Sequence, residues 1–335
     1  MRVAVIGAGS WGTALAWLLG QKGLSVLLWG RDSEQMARMA AERVNRRYLP
    51  EARLPDTVAP TTETAPLHEC AVWVLAVPSG ALRETLRLCP PPDATLIIAA
   101  KGLEPDTGKL LTQVVCEALG NREAHTAVLS GPNLAVELVR GAPTASVAAS
   151  RSLACAEQVQ ELLMTPPILR VYTSDDVVGV ELGGALKNVY AIGAGISDGL
   201  GFGDNTKATL LTRGLAEMMR FGAAMGARPE TFMGLTGVGD LFATAVSRLS
   251  RNYRFGRAIA EGKTVDEARA LLGQVAEGYP TALAAQTLAT QLGVEMPLLH
   301  AIADILTGKR ATHDALQGLM TRPPKGEREF RFTTL

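Results

Sequence analysis

The chain is poor in the residues that usually announce a disulfide scaffold, a metal centre or a nucleic-acid surface. It has four cysteines, Cys70, Cys89, Cys116 and Cys155, scattered with no Cys-x-x-Cys spacing. That pattern suits reduced thiols rather than a disulfide framework or a zinc site. Its four histidines, His68, His125, His300 and His313, form no pair at ligand spacing, so no metal is expected. There is no excess of charge of either sign, with 33 basic and 33 acidic residues. A general polyanion binder is therefore disfavoured, although one or two arginines suffice for a small anion. No run reaches the roughly 18 apolar residues of a membrane span. Met1–Leu19 is short and apolar, but Gly7, Gly9, Ser10 and Gly12 interrupt it, and a strand-turn-helix accounts for them better than a signal peptide. A cytoplasmic protein that is not embedded in a membrane and binds no nucleic acid is expected.

Lysine is scarce too, with eight among the 33 basic residues, and one of the eight stands in an unexpected place. Val180–Gly195, VELGGALKNVYAIGAG, reads as a core helix of small and apolar residues with Lys187 in its middle. Burial disfavours the ammonium and lowers its pKa, which makes a lysine usable as an acid or base near neutral pH. A snorkelling lysine, with its stem packed and its head in water, is the alternative.

The length favours two domains. In the first half, short β-branched or apolar runs (Arg2–Ile6, Ser25–Trp29, Ala71–Val77, Ala94–Ala99, Thr126–Leu129, Ala145–Ala148 and Ile168–Tyr172) alternate with helical patterns at Gly12–Gln21, Ser33–Val44, Gly80–Leu88 and Gly108–Leu119. This predicts an α/β fold, a Rossmann-type doubly wound parallel sheet covered on both faces. Beyond Asp176 only helical patterns remain, among them Gly179–Gly193, Lys207–Met225, Ala282–Gln291 and Leu298–Leu306. A dinucleotide-binding domain over 1–177 and an all-helical substrate and catalytic domain over 178–335 are expected. The tail from Thr321, with Pro323-Pro324 and several charges, reads as weakly ordered.

Gly7-Ala8-Gly9-Ser10-Trp11-Gly12 follows the first strand and opens a helix. In a Gly-x-Gly-x-x-Gly loop the first glycine makes the tight turn, the second admits a pyrophosphate, and the third packs helix on strand. The motif alone is weak; its flanks make it a dinucleotide site. After the second strand, Gly30 stands where an NAD site usually has a carboxylate, and Arg31 follows. Arg31 suits a 2′-phosphate, so NADP(H) is favoured with NAD(H) as the alternative. Asp32 is placed either to reach a ribose hydroxyl or to cap the next helix.

Lys101 directly follows a strand, at the edge where open α/β sheets bind ligands, and Ser130-Gly131-Pro132-Asn133 makes another small-residue turn there. Asp240, set among apolar residues and glycines in Leu235–Leu241, needs a partner, and a lysine is the obvious one. Ser250-Arg251-Asn252 offers a hydroxyl, a guanidinium and an amide to a phosphate monoester. A plain loop for the first two segments and a helix end with a solvated basic face for the third are the bland readings.

Together these segments carry a resemblance. GAGSWGTA (7–14), KGLE (101–104), SGP (130–132), the 180–195 helix continuing to Leu215, TGVGDL (236–241), LSRN (249–252) with Phe255-Gly256, and Glu277-Gly278 stand in the order seen in the bacterial NAD(P)-dependent glycerol-3-phosphate dehydrogenases. The chain resembles that family over nearly its whole length. The resemblance implies proton transfer at Lys187, with Lys101 and Asp240 supporting it. It implies substrate contacts at Lys101, Gly131, Asn133, Lys187, Asp240, Ser250, Arg251 and Asn252. Beside Gly7, Gly9 and Gly12, it implies cofactor contacts at Ser10, Trp11, Arg31, Lys101, Ala135, Arg251, Val275 and Glu277. Asn133 departs from the family's usual serine, and Tyr253 stands where a basic residue is frequent. The implied reaction is reversible hydride transfer between NAD(P)H and carbon 2 of dihydroxyacetone phosphate, giving sn-glycerol 3-phosphate for the glycerophospholipid backbone. A homodimer is one assembly the sequence leaves open. The rivals are a 3-hydroxy-acid dehydrogenase, which the Ser-Arg-Asn cluster disfavours, and an NADP-binding redox sensor without turnover, which Lys187, Lys101 and Asp240 disfavour.

Overall fold

A computed structural model describes residues 1–324, 326 and 327, so most of the tail expected to be weakly ordered lies outside the described residues. Ten strands come first: β1 (Arg2–Ile6), β2 (Ser25–Trp29), β3 (Val44–Asn45), β4 (Leu49–Arg53), β5 (Val58–Thr61), β6 (Val72–Leu75), β7 (Thr95–Ile98), β8 (Thr126–Ser130), β9 (Thr144–Ala149) and β10 (Leu169–Ser174). Eight of them form one sheet in the order β10-β9-β8-β7-β6-β1-β2-β5, and β3 pairs with β4 apart from it. The order reverses between β1 and β6, which leaves a crevice at their carboxyl ends.

The inner strands β1, β2, β6 and β7 are mostly apolar because both faces are covered. Val3, Val5, Val26, Leu28, Val72, Val74 and Ile97 pack into one core with the helices Ser10–Gln21, Ser33–Glu42 and Leu153–Leu163. Their alternates Ala4, Ile6, Leu27, Trp73, Leu75, Leu96 and Ile98 pack into a second core with Leu111–Leu119. This is the period-2 alternation of strand side chains, satisfied on both sides.

The expectation of a wholly parallel sheet is corrected at one junction: β9 runs antiparallel to β8, and β10 parallel to β9. A parallel return needs a crossover to the opposite sheet edge. Here the connection stays at the carboxyl edge, where the Asn133 amide donates to the Ala145 carbonyl at 3.1 Å and to Ser146 Oγ at 2.9 Å. The strands β3, β4 and β5, unassigned from sequence, fill 44–61; Pro60 fits β5 because that strand lies at the sheet edge.

After Ser174 the described residues form helices and no strand. The helix Val177–Gly199 is longer at both ends than the pattern predicted, since Asp176 caps it by accepting the Gly179 amide at 3.0 Å. Its residues 179–197 are buried all round, as expected for a helix apolar on every face. It lies among Asp204–Ala224, Asp240–Val246, Arg251–Ala260, Gly278–Gln291 and Pro297–Leu306. Its contact with Arg251–Ala260 is backbone on backbone: a Cβ on Gly195 would lie 2.0 Å from the Tyr253 carbonyl oxygen, and one on Gly256 would lie 2.0 Å from that of Ile192. Among the described residues no helix is long and apolar enough to cross a membrane.

Candidate active site

The glycine loop closes as its sequence suggests. Gly7 adopts φ +114°, and its amide donates to the Trp29 carbonyl at 2.9 Å. A Cβ on Gly12 would fall 1.9 Å from the Gly7 carbonyl oxygen, so only glycine lets this helix sit on the turn. Gly9, by contrast, has open space where its Cβ would be. The helix Ser10–Gln21 starts with no side-chain cap, which leaves its first N–H groups for a ligand. Open space over Gly9 and uncapped amides beneath it fit a pyrophosphate. Ser10 Oγ donates to the Tyr48 carbonyl at 2.9 Å and to Gln274 Oε1 at 3.3 Å, while Trp11 is half-buried against the core below.

Arg31 is exposed beyond the end of β2. Asp32 takes the capping alternative: its Oδ1 accepts the Gln35 amide at 3.0 Å at the start of Ser33–Glu42.

Lys187 and Asp240 meet as their burial requires. Lys187 is 6% exposed and Asp240 1%. Lys187 Nζ donates to Asp240 Oδ1 at 2.8 Å and to Thr244 Oγ1 at 2.6 Å. Lys101, from the loop after β7, donates to the other carboxylate oxygen, Oδ2, at 2.8 Å and to the Gly131 carbonyl at 2.7 Å. One carboxylate therefore holds one ammonium from each half of the chain. The snorkelling alternative for Lys187 does not hold.

Small residues make this convergence geometrically available. Leu235–Gly239 forms a π-helical turn leading into Asp240–Val246. A Cβ on Gly183 would lie 2.4 Å from the Thr236 carbonyl oxygen, so the turn rests directly on the central helix, one turn before Lys187.

Burial lowers the Lys187 pKa to about 8; Asp240 opposes this, and Lys101 and Arg251 add to it. Burial alone would raise the Asp240 carboxyl, but the two ammonium groups prevail and hold it below the usual carboxylate range. At neutral pH the cluster thus carries two ammonium groups on one carboxylate, with Lys187 close enough to titration to exchange its proton.

The Ser-Arg-Asn segment is the N-terminus of a helix packed on the central helix, and its own side chains face inward, while Arg254 and Arg257 further along are exposed. Ser250 caps Arg251–Ala260, accepting the Tyr253 amide at 3.2 Å. Asn252 donates to Asn188 Oδ1 at 2.8 Å and accepts the Gly278 amide at 2.9 Å. Asn188 in turn donates to the Lys101 carbonyl at 3.3 Å. Both flanking side chains are therefore engaged in holding the turn. Arg251, half-buried, contacts Gln274 Oε1 at 3.3 Å, and burial lowers its pKa against the pull of Glu277.

Glu277 accepts the Ser79 hydroxyl at 2.6 Å and the Ser79 amide at 3.2 Å, beyond the end of β6; burial pushes its carboxyl up, with Ser79 and Arg251 opposing. Asn133 spends its amide nitrogen on β9, and its Oδ1 is buried without a hydrogen-bond partner. Ala135 opens the short helix Ala135–Val139, and Val275 is 47% exposed.

Sequence reasoning missed Thr244, Asn188, Ser79 and Gln274. Thr244 was findable, since it lies four residues after Asp240 on one helix face. Ser79 and Gln274 sit in connecting segments that carry no pattern.

Two family models match the chain: "NAD-dependent glycerol-3-phosphate dehydrogenase N-terminus" over residues 2–156 and the corresponding "C-terminus" over 176–317. The glycerol-3-phosphate dehydrogenase (NAD(P)+) of Thioalkalivibrio sulfidiphilus is 50% identical over 97% of this chain and 98% of its own. That of Geobacillus kaustophilus is 46% identical over 97% and 96%. The crystal structure of glycerol-3-phosphate dehydrogenase from Coxiella burnetii superposes with a TM-score of 0.91 at 39% identity, covering 96% of this chain and 99% of its own.

Proposed function

The chain belongs to the NAD-dependent glycerol-3-phosphate dehydrogenase family, and on that premise we propose that it interconverts dihydroxyacetone phosphate and sn-glycerol 3-phosphate with NAD(P)H as hydride donor. The observation that carries this reading is the single carboxylate of Asp240 gripping Lys187 and Lys101 at 2.8 Å each. Such a cluster has a surplus positive charge and a proton donor poised near neutrality, which is what reduction of a carbonyl requires.

A bound NAD(P)H, held by the glycine loop, would supply the hydride to carbon 2. Lys187, as the ammonium, protonates the carbonyl oxygen during reduction and, as the amine, takes the hydroxyl proton during oxidation. Lys101 stabilises negative charge on that oxygen. Asp240 holds both lysines, and the Gly131 carbonyl fixes Lys101 further. The phosphate faces the N-terminus of Arg251–Ala260, where the helix amides and the Arg251 guanidinium are the donors. Ser250 and Asn252 shape that turn, and phosphate binding positions carbon 2. Gly7, Gly9, Ser10, Trp11, Gly12, Arg31, Ala135, Val275 and Glu277 line the cofactor side, with Lys101 and Arg251 shared; Asn133 borders the substrate.

The proposed division of labour broadly follows the chain, with most of the cofactor site on 1–177 and most of the substrate chemistry on 178–335; Lys101 and Asn133 reach across toward the substrate, and Arg251, Val275 and Glu277 toward the cofactor. The reading extends to a cytoplasmic enzyme, with a homodimer as one open assembly; a role in supplying the glycerol phosphate of membrane lipids is what the family resemblance implies. NADPH oxidation with dihydroxyacetone phosphate, repeated with NADH, tests the core of the proposal. Turnover with 3-hydroxyisobutyrate and NADP but none with the phosphorylated ketone would overturn it.

A further inference from the structure

The stretch between β2 and β5 solves a problem left at the cofactor edge. Asp32, next to Arg31, is a carboxylate beside the place where a ribose 2′-phosphate would sit, and an unpaired carboxylate there favours the bare 2′-hydroxyl of NAD(H). In the structure it is not unpaired. Its Oδ1 is taken by the Gln35 amide, and its Oδ2 lies 3.8 Å from the Arg47 guanidinium.

The position of Arg47 is built, not incidental. It stands in the turn between β3 and β4, and that turn is fastened to the glycine loop. Asn45, fully buried, donates to the Ala8 carbonyl at 2.9 Å and to Thr13 Oγ1 at 2.8 Å. Ser10 donates to the Tyr48 carbonyl at 2.9 Å. Gln35, on the helix that Asp32 caps, donates to the same Ala8 carbonyl at 3.0 Å. These bonds, with Gln35 Nε2 also 3.5 Å from Asn45 Oδ1, fix the Arg47 turn against the phosphate loop on one side and the helix that Asp32 caps on the other. The guanidinium lies over the Tyr48 ring, 5.0 Å from its centroid, and the side chain remains 58% exposed, open to a ligand.

We infer that Arg47 is a second determinant of cofactor choice, pairing with Arg31 around the 2′-phosphate of NADP(H) while neutralising Asp32. The inference rests on the proposed NADP(H) preference and adds to it a residue from a segment outside the glycine-loop motif. Arg47 has two effects in one direction: it gives the phosphate a cationic partner and removes the repulsion Asp32 would exert.

The test is calorimetric titration of the full-length protein with 2′,5′-ADP and, separately, with ADP, which lacks the 2′-phosphate. Arg47→Ala is expected to weaken 2′,5′-ADP by about tenfold or more, as for loss of a charge-assisted contact, and ADP by less than about threefold. Asp32→Asn, which keeps a capping side chain, should restore part of that loss in the Arg47→Ala background. Both residues are exposed, so the variants should fold. Equal loss for the two nucleotides, or no loss, would overturn the role of Arg47. If Arg31→Ala removes the preference and Arg47→Ala does not, Arg47 is excluded while the NADP(H) reading stands. If the unmodified protein binds the two nucleotides equally, that reading falls and this one with it.

Discussion

Among the buried side chains of the central helix, Glu181 and Lys187 are treated in opposite ways. The Glu181 carboxylate is closed off by neutral donors: the Thr112 hydroxyl and, at 3.1 Å, the Thr112 amide. Burial raises its pKa to about 7, and nothing charged opposes the shift. Lys187, six positions on, is surrounded by charge: a carboxylate that it shares with Lys101, and Arg251 beyond. The first arrangement is complete within the fold, because every polar atom is met by a dipole. The second retains a surplus cation that only an incoming anion or developing oxyanion can satisfy. Burial of a charge is therefore a weak indicator of function, and an uncompensated neighbour is a stronger one.

Removing the surplus should have the largest effect. Lys187→Ala is expected to lower kcat by about 10²–10⁴-fold, the usual worth of a positioned acid or base, with cofactor affinity nearly unchanged. Steady-state kinetics beside cofactor titration measures both, and near-normal turnover would break the contrast with Glu181. The Lys187 pKa of about 8 also sets a sign. Reduction needs the ammonium, so its kcat/KM should fall as pH rises past about 8, whereas oxidation needs the amine and should rise through the same region. Asp240→Asn, by removing the opposing charge, should move both limbs to lower pH.

Arg251→Ala should act next, raising KM for dihydroxyacetone phosphate by about 10–100-fold through loss of charge-assisted bonds. An unchanged KM would place the phosphate elsewhere. The smallest effect on turnover belongs to two buried carboxyls away from the lysine cluster. Glu181, and Glu217, which accepts the Leu298 and Leu299 amides and the Tyr190 hydroxyl and lies 4.0 Å from the Arg220 guanidinium, both have pKa values raised to about 7 by burial. A carboxyl raised on folding binds its proton more tightly in the native state. The contribution of each group to stability should therefore be fullest below about 4.5 and decline as pH climbs to about 7, by on the order of 3 kcal/mol. Denaturant unfolding of Glu181→Gln and Glu217→Gln across that range should give a flatter profile, with activity near neutrality little altered.

How far the site could be read in advance depended on whether its signal was local. The glycine loop was legible because its three glycines stand at fixed spacing between a strand and a helix, and Lys187 because a cation in an apolar helix violates its own surroundings. Asp240 was legible as a residue in need of a lysine, but not as one that takes two, since Lys101 arrives from a strand edge 139 positions away. The segment 44–61 was opaque for a different reason. Its strands are two to five residues long and contain Pro50 and Pro60, so neither period-2 patterning nor propensity marks them. The reversal at β9 was equally hidden, because the apolar run of a buried strand reads the same in either direction.

The contact of Gly195 and Gly256 with the facing backbones has a consequence for substrate range. Two helices touching through glycine are already as near as atoms permit. Any substitution there can only push them apart. The span from the proton donor on one helix to the anion seat on the other therefore cannot be shortened by drawing the two helices together at this contact.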